Sequence, residues 1–151
     1  YSLKNRTYRY YTGTPLWGFG YGLSYSTFTY GPVKLAAPSV TAGQPVLATV
    51  KVTNTGSRAG DEVAESYLKT PQPGGPRNSL VGFQRVHLEP GESQDLSITV
   101  TPRSLSSVNN DGGRSILPGA YQLSIGSAQP WETNNKSEIS FSVSGTAVQP
   151  K

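Results

Sequence analysis

Residues 46–54 read VLATVKVTN. Val46, Ala48, Val50 and Val52 share one parity, and Leu47, Thr49, Lys51 and Thr53 share the other. Side chains of a strand point alternately to opposite faces, so one face of this segment is apolar and the other mixed. This is the pattern of a half-buried antiparallel strand. The same period returns along the chain. Val33-Lys34-Leu35-Ala36-Ala37 alternates, and Leu96, Ile98 and Val100 alternate with Ser97 and Thr99. Tyr121, Leu123 and Ile125 do so with Gln122 and Ser124, and Ile139, Phe141 and Val143 with Ser140 and Ser142. Segments 62–69 and 80–88 are rich in β-formers but alternate less cleanly. Leu80, Val86 and Leu88 share a parity that Val81 and Phe83 do not. A bulge near Gly82 accounts for this, and so does burial of both faces.

Turn-formers separate these runs: Thr41-Ala42-Gly43-Gln44-Pro45, Asn54-Thr55-Gly56, Glu89-Pro90-Gly91-Glu92, Asn109-Asn110-Asp111-Gly112-Gly113 and Pro118-Gly119. Seven short strands with frequent turns and no long helical pattern predict an all-β fold. The expected architecture is a seven-stranded antiparallel sandwich of the immunoglobulin or fibronectin type III kind over residues 33–144. Tyr121, just after Leu117-Pro118-Gly119, stands where a tyrosine corner would sit, and a plain core tyrosine is the other reading. Residues 70–79, TPQPGGPRNS, read as an exposed loop, since three prolines and two glycines cannot sit inside a sheet. Residues 1–32 and the tail 145–151 lie outside the sandwich pattern. Residues 127–137 form a polar loop around Trp131.

The composition narrows the function classes. The 151 residues fit one domain, and a chain of this size buries roughly 70% of its unfolded surface. It contains no cysteine, which excludes a disulfide scaffold and leaves the compartment open. It contains no methionine, even at position 1, which points to a fragment or a processed chain. No apolar run of eighteen residues is present, so no membrane partner is expected. The net charge is +4 and the pI about 9.4. The basic residues are scattered, however, and the densest group is Lys4, Arg6 and Arg9, so no nucleic-acid partner is expected.

No catalytic constellation emerges. His87 is the single histidine and falls in a predicted strand, as a surface histidine would. Gly22-Leu23-Ser24-Tyr25-Ser26 lacks the second glycine of a nucleophile elbow. Asp61, Glu62 and Glu65 are the candidate carboxylates, but Glu62 and Glu65 have opposite parity and would face opposite sides of a strand. Glu89 and Glu92 flank a Pro-Gly turn and read as solvated. One histidine without cysteine excludes the usual zinc sets. Asn109, Asn110 and Asp111 offer oxygens for calcium, but Asn-Asp-Gly-Gly is also a plain hairpin turn, and the turn is the favoured reading. Gly18, Gly20 and Gly22 are followed by neither helix nor lysine, so they make no phosphate loop. No metal or other cofactor is expected. Asn5 and Asn135 begin Asn-x-Ser/Thr sequons.

Residues 15–28, PLWGFGYGLSYSTF, fit neither strand nor helix, yet five of the fourteen are aromatic. Together with Thr7-Tyr8-Arg9-Tyr10-Tyr11 upstream, this run resembles the segment leading into the C-terminal domain of family-3 glycoside hydrolases, the β-glucosidases and β-xylosidases. The likeness continues in order through Val52-Thr53-Asn54-Thr55-Gly56, Ala59-Gly60-Asp61-Glu62-Val63, Leu80-Val81-Gly82-Phe83-Gln84-Arg85-Val86, Leu88-Glu89-Pro90-Gly91-Glu92 and Leu117-Pro118-Gly119-Ala120-Tyr121. Ser127-Ala128-Gln129-Pro130 and Val143-Ser144-Gly145 lean towards the β-xylosidase branch. The resemblance implies a fibronectin type III-like accessory domain of a secreted or periplasmic glycosidase. It also implies that the catalytic aspartate and glutamate lie in other domains, so that this chain alone hydrolyses nothing. Glycine-loosened aromatics let a backbone approach a surface while rings fill its pockets. Tyr8, Tyr10, Trp17, Phe19, Tyr21 and Tyr25 are therefore the expected anchors to the catalytic domains, unless they cover an open face of the sandwich itself. Two alternatives stand beside this: a polysaccharide-binding module, with Trp131 as the candidate sugar contact, and a purely structural or adhesive sandwich domain.

Overall fold

The computed structural model describes residues 5–109 and 111–150, so Lys4 of the basic group and Asn110 of the candidate calcium loop lie outside the described residues. One helical turn, α1 (Thr7–Tyr10), precedes β1 (Phe28–Tyr30), β2 (Lys34–Leu35), β3 (Ser39–Thr41), β4 (Val46–Asn54), β5 (Gly60–Lys69), β6 (Ser79–Leu88) and β7 (Ser93–Val100). A second turn, α2 (Pro102–Leu105), leads to β8 (Ser107–Val108), β9 (Arg114–Ile116), β10 (Gly119–Gly126), β11 (Lys136–Ser144) and β12 (Ala147–Gln149).

The alternation of VLATVKVTN sets the first layer. β4 pairs along its whole length with β7, from Val46 opposite Val100 to Thr53 opposite Ser93. Its other edge carries β1 and β2, at Phe28 opposite Asn54 and Lys34 opposite Thr49. The second layer runs β3-β11-β10-β5-β6. Val46, Ala48, Val50 and Val52 are buried against Leu96 and Ile98 of β7 and Leu123, Ile125 and Phe141 of the facing sheet. The two sheets thus close on one core, as a sandwich requires. A short third sheet, β12-β9-β8, lies beside them.

The predicted strand at 33–37 is broken. Lys34–Leu35 pairs with β4, while Ser39–Thr41 runs parallel to β11 in the other sheet. Pro38 cannot donate a ladder hydrogen bond, and the chain changes layer there while the Pro38 carbonyl accepts the Ser142 amide at 3.1 Å. Pairing also reaches further than the expected 33–144, to Phe28–Tyr30 before it and Ala147–Gln149 after it.

The irregular parity of 80–88 is a bulge. Ser66 faces Gly82 and Tyr67 faces Leu80, so Val81 is the extra residue on β6. Tyr121 makes the tyrosine corner: its hydroxyl donates to the Leu117 carbonyl at 2.8 Å while its ring stacks on Phe141, centroids 5.5 Å apart. Between β8 and β9, Asn109 Oδ1 accepts the Gly113 amide at 2.7 Å and the Asp111 amide at 3.1 Å. Asn109 is thus engaged in turn bonding.

Asn54, at the end of β4, is fully buried. Its Oδ1 accepts from Ser26 Oγ at 2.7 Å and from the Gly56 amide at 2.9 Å. Its Nδ2 donates to the Arg58 carbonyl at 2.8 Å and the Leu88 carbonyl at 2.9 Å. One carboxamide thus uses both donors and both lone pairs to join four segments. Gly56 is required beside it, since a Cβ there would overlap Ser26 and sit 2.9 Å from the Thr27 nitrogen.

Candidate functional site

The candidate carboxylates diverge as their parity demands. Glu62 turns to the other sheet, where the Tyr30 hydroxyl donates to Oε1 at 2.7 Å. Glu65 lies on the opposite face of β5 and accepts from the Tyr67 hydroxyl at 2.7 Å. Each carboxylate therefore has a tyrosine partner of its own, and they form no acid/base pair with a shared substrate position. Asp61 is exposed and bridges Arg85 and His87, with His87 Nδ1 2.9 Å from Oδ1. His87 is thus a solvated strand histidine with no nucleophile beside it.

Both buried glutamates have raised pKa values. Burial is the main cause for each, opposed by the tyrosine hydrogen bond and reinforced by a neighbouring carboxylate, Glu65 for Glu62 and Glu132 for Glu65. A folded pKa above the unfolded value of 4.5 means that the favourable contribution is complete below 4.5. It is lost as pH rises through the folded value. Asp61 runs the other way: Arg85 first, then His87, hold it below 3.8, so its contribution fades only in stronger acid. Glu65→Gln keeps an acceptor for Tyr67 and removes the buried charge. It is expected to raise the melting temperature at pH 7.5 by about 2 °C or more, with the gain vanishing near pH 4. Melting curves from pH 4 to 8 check this, and a lower midpoint than the parent at pH 7.5 would overturn it.

Tyr67 is fully buried although it lies outside the main core, because the N-terminal segment covers the outer face of β5. Tyr8 meets the Tyr67 ring edge-on at 6.3 Å and stacks on Phe19 at 4.3 Å. Its hydroxyl accepts the Leu80 amide at 3.3 Å. The Arg77 amide donates to the Arg9 carbonyl at 2.8 Å. The glycines of the aromatic run permit this contact: a Cβ on Gly18 would overlap the Glu132 carboxylate, and one on Gly20 that of Glu65. Gly20 also has φ +83°, a conformation open to glycine.

This cover is incomplete. Tyr8 and Tyr10 are half-buried, but Trp17 is 70% exposed, Tyr21 51% and Tyr25 95%, with Leu16 and Leu23 exposed beside them. Trp17 and Tyr21 lean on each other at 4.7 Å. Trp17, Phe19, Tyr8, Tyr11 and Trp131 wall a cavity of about 760 Å³, within the size range of ligand sites. Gln129 and Glu132 also line it, and each keeps a buried Oε1 with no hydrogen-bond partner. Buried polar atoms are nearly always partnered, and this cavity holds two unpartnered acceptors together with the unpartnered Nε of Arg9, so its polar lining is not satisfied within the described residues. Trp131 is half-buried and carries the Arg77 guanidinium 4.3 Å from its ring centroid. The cavity brings three of the six aromatic candidates, Tyr8, Trp17 and Phe19, together with Trp131, Gln129 and Glu132, whereas Tyr10, Tyr21 and Tyr25 do not line it.

Comparison with known proteins agrees with this architecture. Residues 62–129 match the fibronectin type III-like domain family. The chain is 38% identical over 123 residues to a β-xylosidase of Formosa agariphila, covering 80% of this chain and 17% of that protein. It is 39% identical over 114 residues to a periplasmic β-glucosidase of Salmonella typhimurium, covering 74% and 15%. A β-glucosidase structure from Erythrobacter marinus superposes with a TM-score of 0.79 at 31% identity, over 90% of this chain and 18% of that one. The chain thus spans less than a fifth of these relatives. With the two-layer topology, the tyrosine corner and the ordered landmarks from 7 to 121, these matches make the chain a fibronectin type III-like domain of the family-3 glycoside hydrolases.

Proposed function

We propose that this domain is a non-catalytic accessory module of a secreted or periplasmic glycosidase that removes terminal β-linked glucose or xylose. It docks on the catalytic domains through the aromatic run, stabilises them and frames their substrate cleft. Trp17, Phe19, Tyr21 and Tyr25 are the exposed anchors, and Tyr8 and Tyr10 hold the run to the sandwich. The observation that carries the reading is the cavity between Trp17 and Trp131, with its unpartnered Gln129 and Glu132 acceptors inside an exposed aromatic patch. A partner segment presenting N–H donors between the rings would satisfy both. The polysaccharide-binding alternative is less favoured, because Arg77 already occupies one face of Trp131.

The test compares the parent enzyme with the isolated chain. Trp17→Ala with Phe19→Ala should lower the parent's melting temperature by about 4 °C or more, because buried interface aromatics are the residues that dominate docking. The same pair should move the isolated chain less, since Trp17 is largely solvated there and only the Phe19 stack on Tyr8 is lost. The isolated chain should not turn over nitrophenyl glucoside or xyloside. Unchanged stability and domain contacts in the doubly substituted parent would reject the docking role.

A further inference from the structure

Tyr8 and Arg9 also line a second cleft, of about 490 Å³, where α1 meets the 70–79 loop and the segment from α2 to β9. Its charged lining has one sign. Arg9, Arg103 and Arg114 contribute to it, and no Asp or Glu does. Among the described residues none of the three forms an ion pair with a carboxylate. Neutral acceptors brace them instead: Ser79 Oγ for Arg9 at 2.9 Å, the Pro150 carbonyl for Arg103 at 3.2 Å and Ser106 Oγ for Arg114 at 3.0 Å. Arg9 keeps a buried Nε with no acceptor. A guanidinium has five N–H donors, so all three have donors left over. Like charges gathered in a concavity repel one another and concentrate anions there. The rest of the lining is rich in hydroxyls, from Ser79, Ser104, Ser106 and Ser107, with the Tyr10 ring beside them.

We propose that this cleft binds an oligosaccharide through the carboxylate of a uronate residue. The planar guanidinium fork matches a carboxylate in two-point contact. The serines match the ring hydroxyls, and a tyrosine ring suits the apolar face of a sugar. A bare inorganic anion would answer the charge but leave the hydroxyl-rich wall and most of the volume unused. The choice of a sugar rests on the glycosidase reading, while the choice of an anion rests on the cleft alone.

The 151-residue chain is titrated at about 0.15 M salt with a uronate-bearing oligosaccharide, its neutral counterpart and inorganic phosphate, followed by calorimetry or amide shifts. The acidic sugar is expected to bind about tenfold tighter than either of the others. Arg9→Gln and Arg103→Gln should each weaken it about fivefold with the melting temperature within about 2 °C, as expected for loss of a charged contact. Two arginines on separate segments keep the test usable if one variant fails to fold. Equal binding of acidic and neutral sugars, phosphate binding as tightly as the sugar, or no binding at all would each overturn the proposal. Docking in the parent is read by a different measurement, so either idea can fail without the other.

Discussion

Asn54→Ala is expected to cost the isolated chain about 3 kcal/mol of unfolding free energy, roughly 6–12 °C in melting temperature for a domain of this size. The Asn54 side chain is fully buried and makes four hydrogen bonds at 2.7 to 2.9 Å. Removing it takes the side-chain donor from the Leu88 carbonyl, in a place that water does not reach. Two other members keep a fallback: Ser26 Oγ still reaches the Arg58 carbonyl at 2.9 Å, and the Gly56 amide reaches Thr27 O at 3.2 Å. The cost is therefore well above that of one ordinary hydrogen bond but short of four lost in full. Asn54→Asp is expected to be worse at neutral pH, because it sets a carboxylate oxygen against the Arg58 and Leu88 carbonyls. Burial would raise that carboxyl's pKa, so its penalty should shrink on acidification, when the protonated group can donate one bond. Ser57→Ala, at an exposed position in the same turn, is the control and should stay within about 0.5 kcal/mol. Chemical denaturation of the three variants decides, and a loss below about 0.5 kcal/mol for Asn54→Ala would show that the clasp is dispensable.

The sheets were legible in the sequence because a period of two follows directly from which face is buried. β4, β7, β10 and β11 each alternate cleanly, and each has one face on the core. β5 does not alternate at its end, and the reason lies outside the strand. Glu65 and Tyr67 point away from the core, yet Tyr8, Phe19 and the backbone at Gly18–Gly20 cover them. No local pattern on β5 records that cover, although the glycines spaced two apart in PLWGFGYGLSYSTF do record a backbone lying close against something. The bulge at Val81 was visible as a change of parity. Asn54 does not stand out in the sequence, since Asn-Thr-Gly reads as any turn and its four partners lie up to 34 residues away from it. Gln129 and Glu132 escaped for a similar reason: an unpartnered acceptor is a property of the assembled surroundings.

The aromatic rings from Tyr8 to Tyr25 divide by exposure into those seated on the sandwich and those facing solvent. Tyr8 is consumed by the sandwich, with both ring contacts and its hydroxyl bond made within the chain. Trp17, Tyr21 and Tyr25 are left to solvent. A run that only covered β5 would not need a tryptophan and two tyrosines turned outward, and single-domain surfaces seldom gather such a patch without a partner. The covering role and the proposed docking role are therefore compatible: Tyr8 and Phe19 seat the segment, and Trp17, Tyr21 and Tyr25 stay free for the proposed partner.

Leu96→Ala is expected to cost about 3–4 kcal/mol, with Leu47→Ala on the neighbouring strand costing under about 1 kcal/mol. Leu96 is fully buried on β7, directly opposite Val50, in the core shared with Leu123 and Ile125 of the facing sheet. Truncation there opens a cavity between two sheets that hydrogen bonding holds in place, so the site cannot collapse to refill it. Leu47 has the same side chain and lies on the paired strand opposite Thr99, but it points outward and is 52% exposed. Its truncation removes little contact and leaves no void. The pair tests register as well as burial, because sliding β4 by one residue would turn Leu47 inward and Val46, Ala48, Val50 and Val52 out. Comparable costs for the two variants in denaturant titrations would mean that VLATVKVTN presents neither face to the core consistently. A large difference in the stated order fixes which face carries the sandwich.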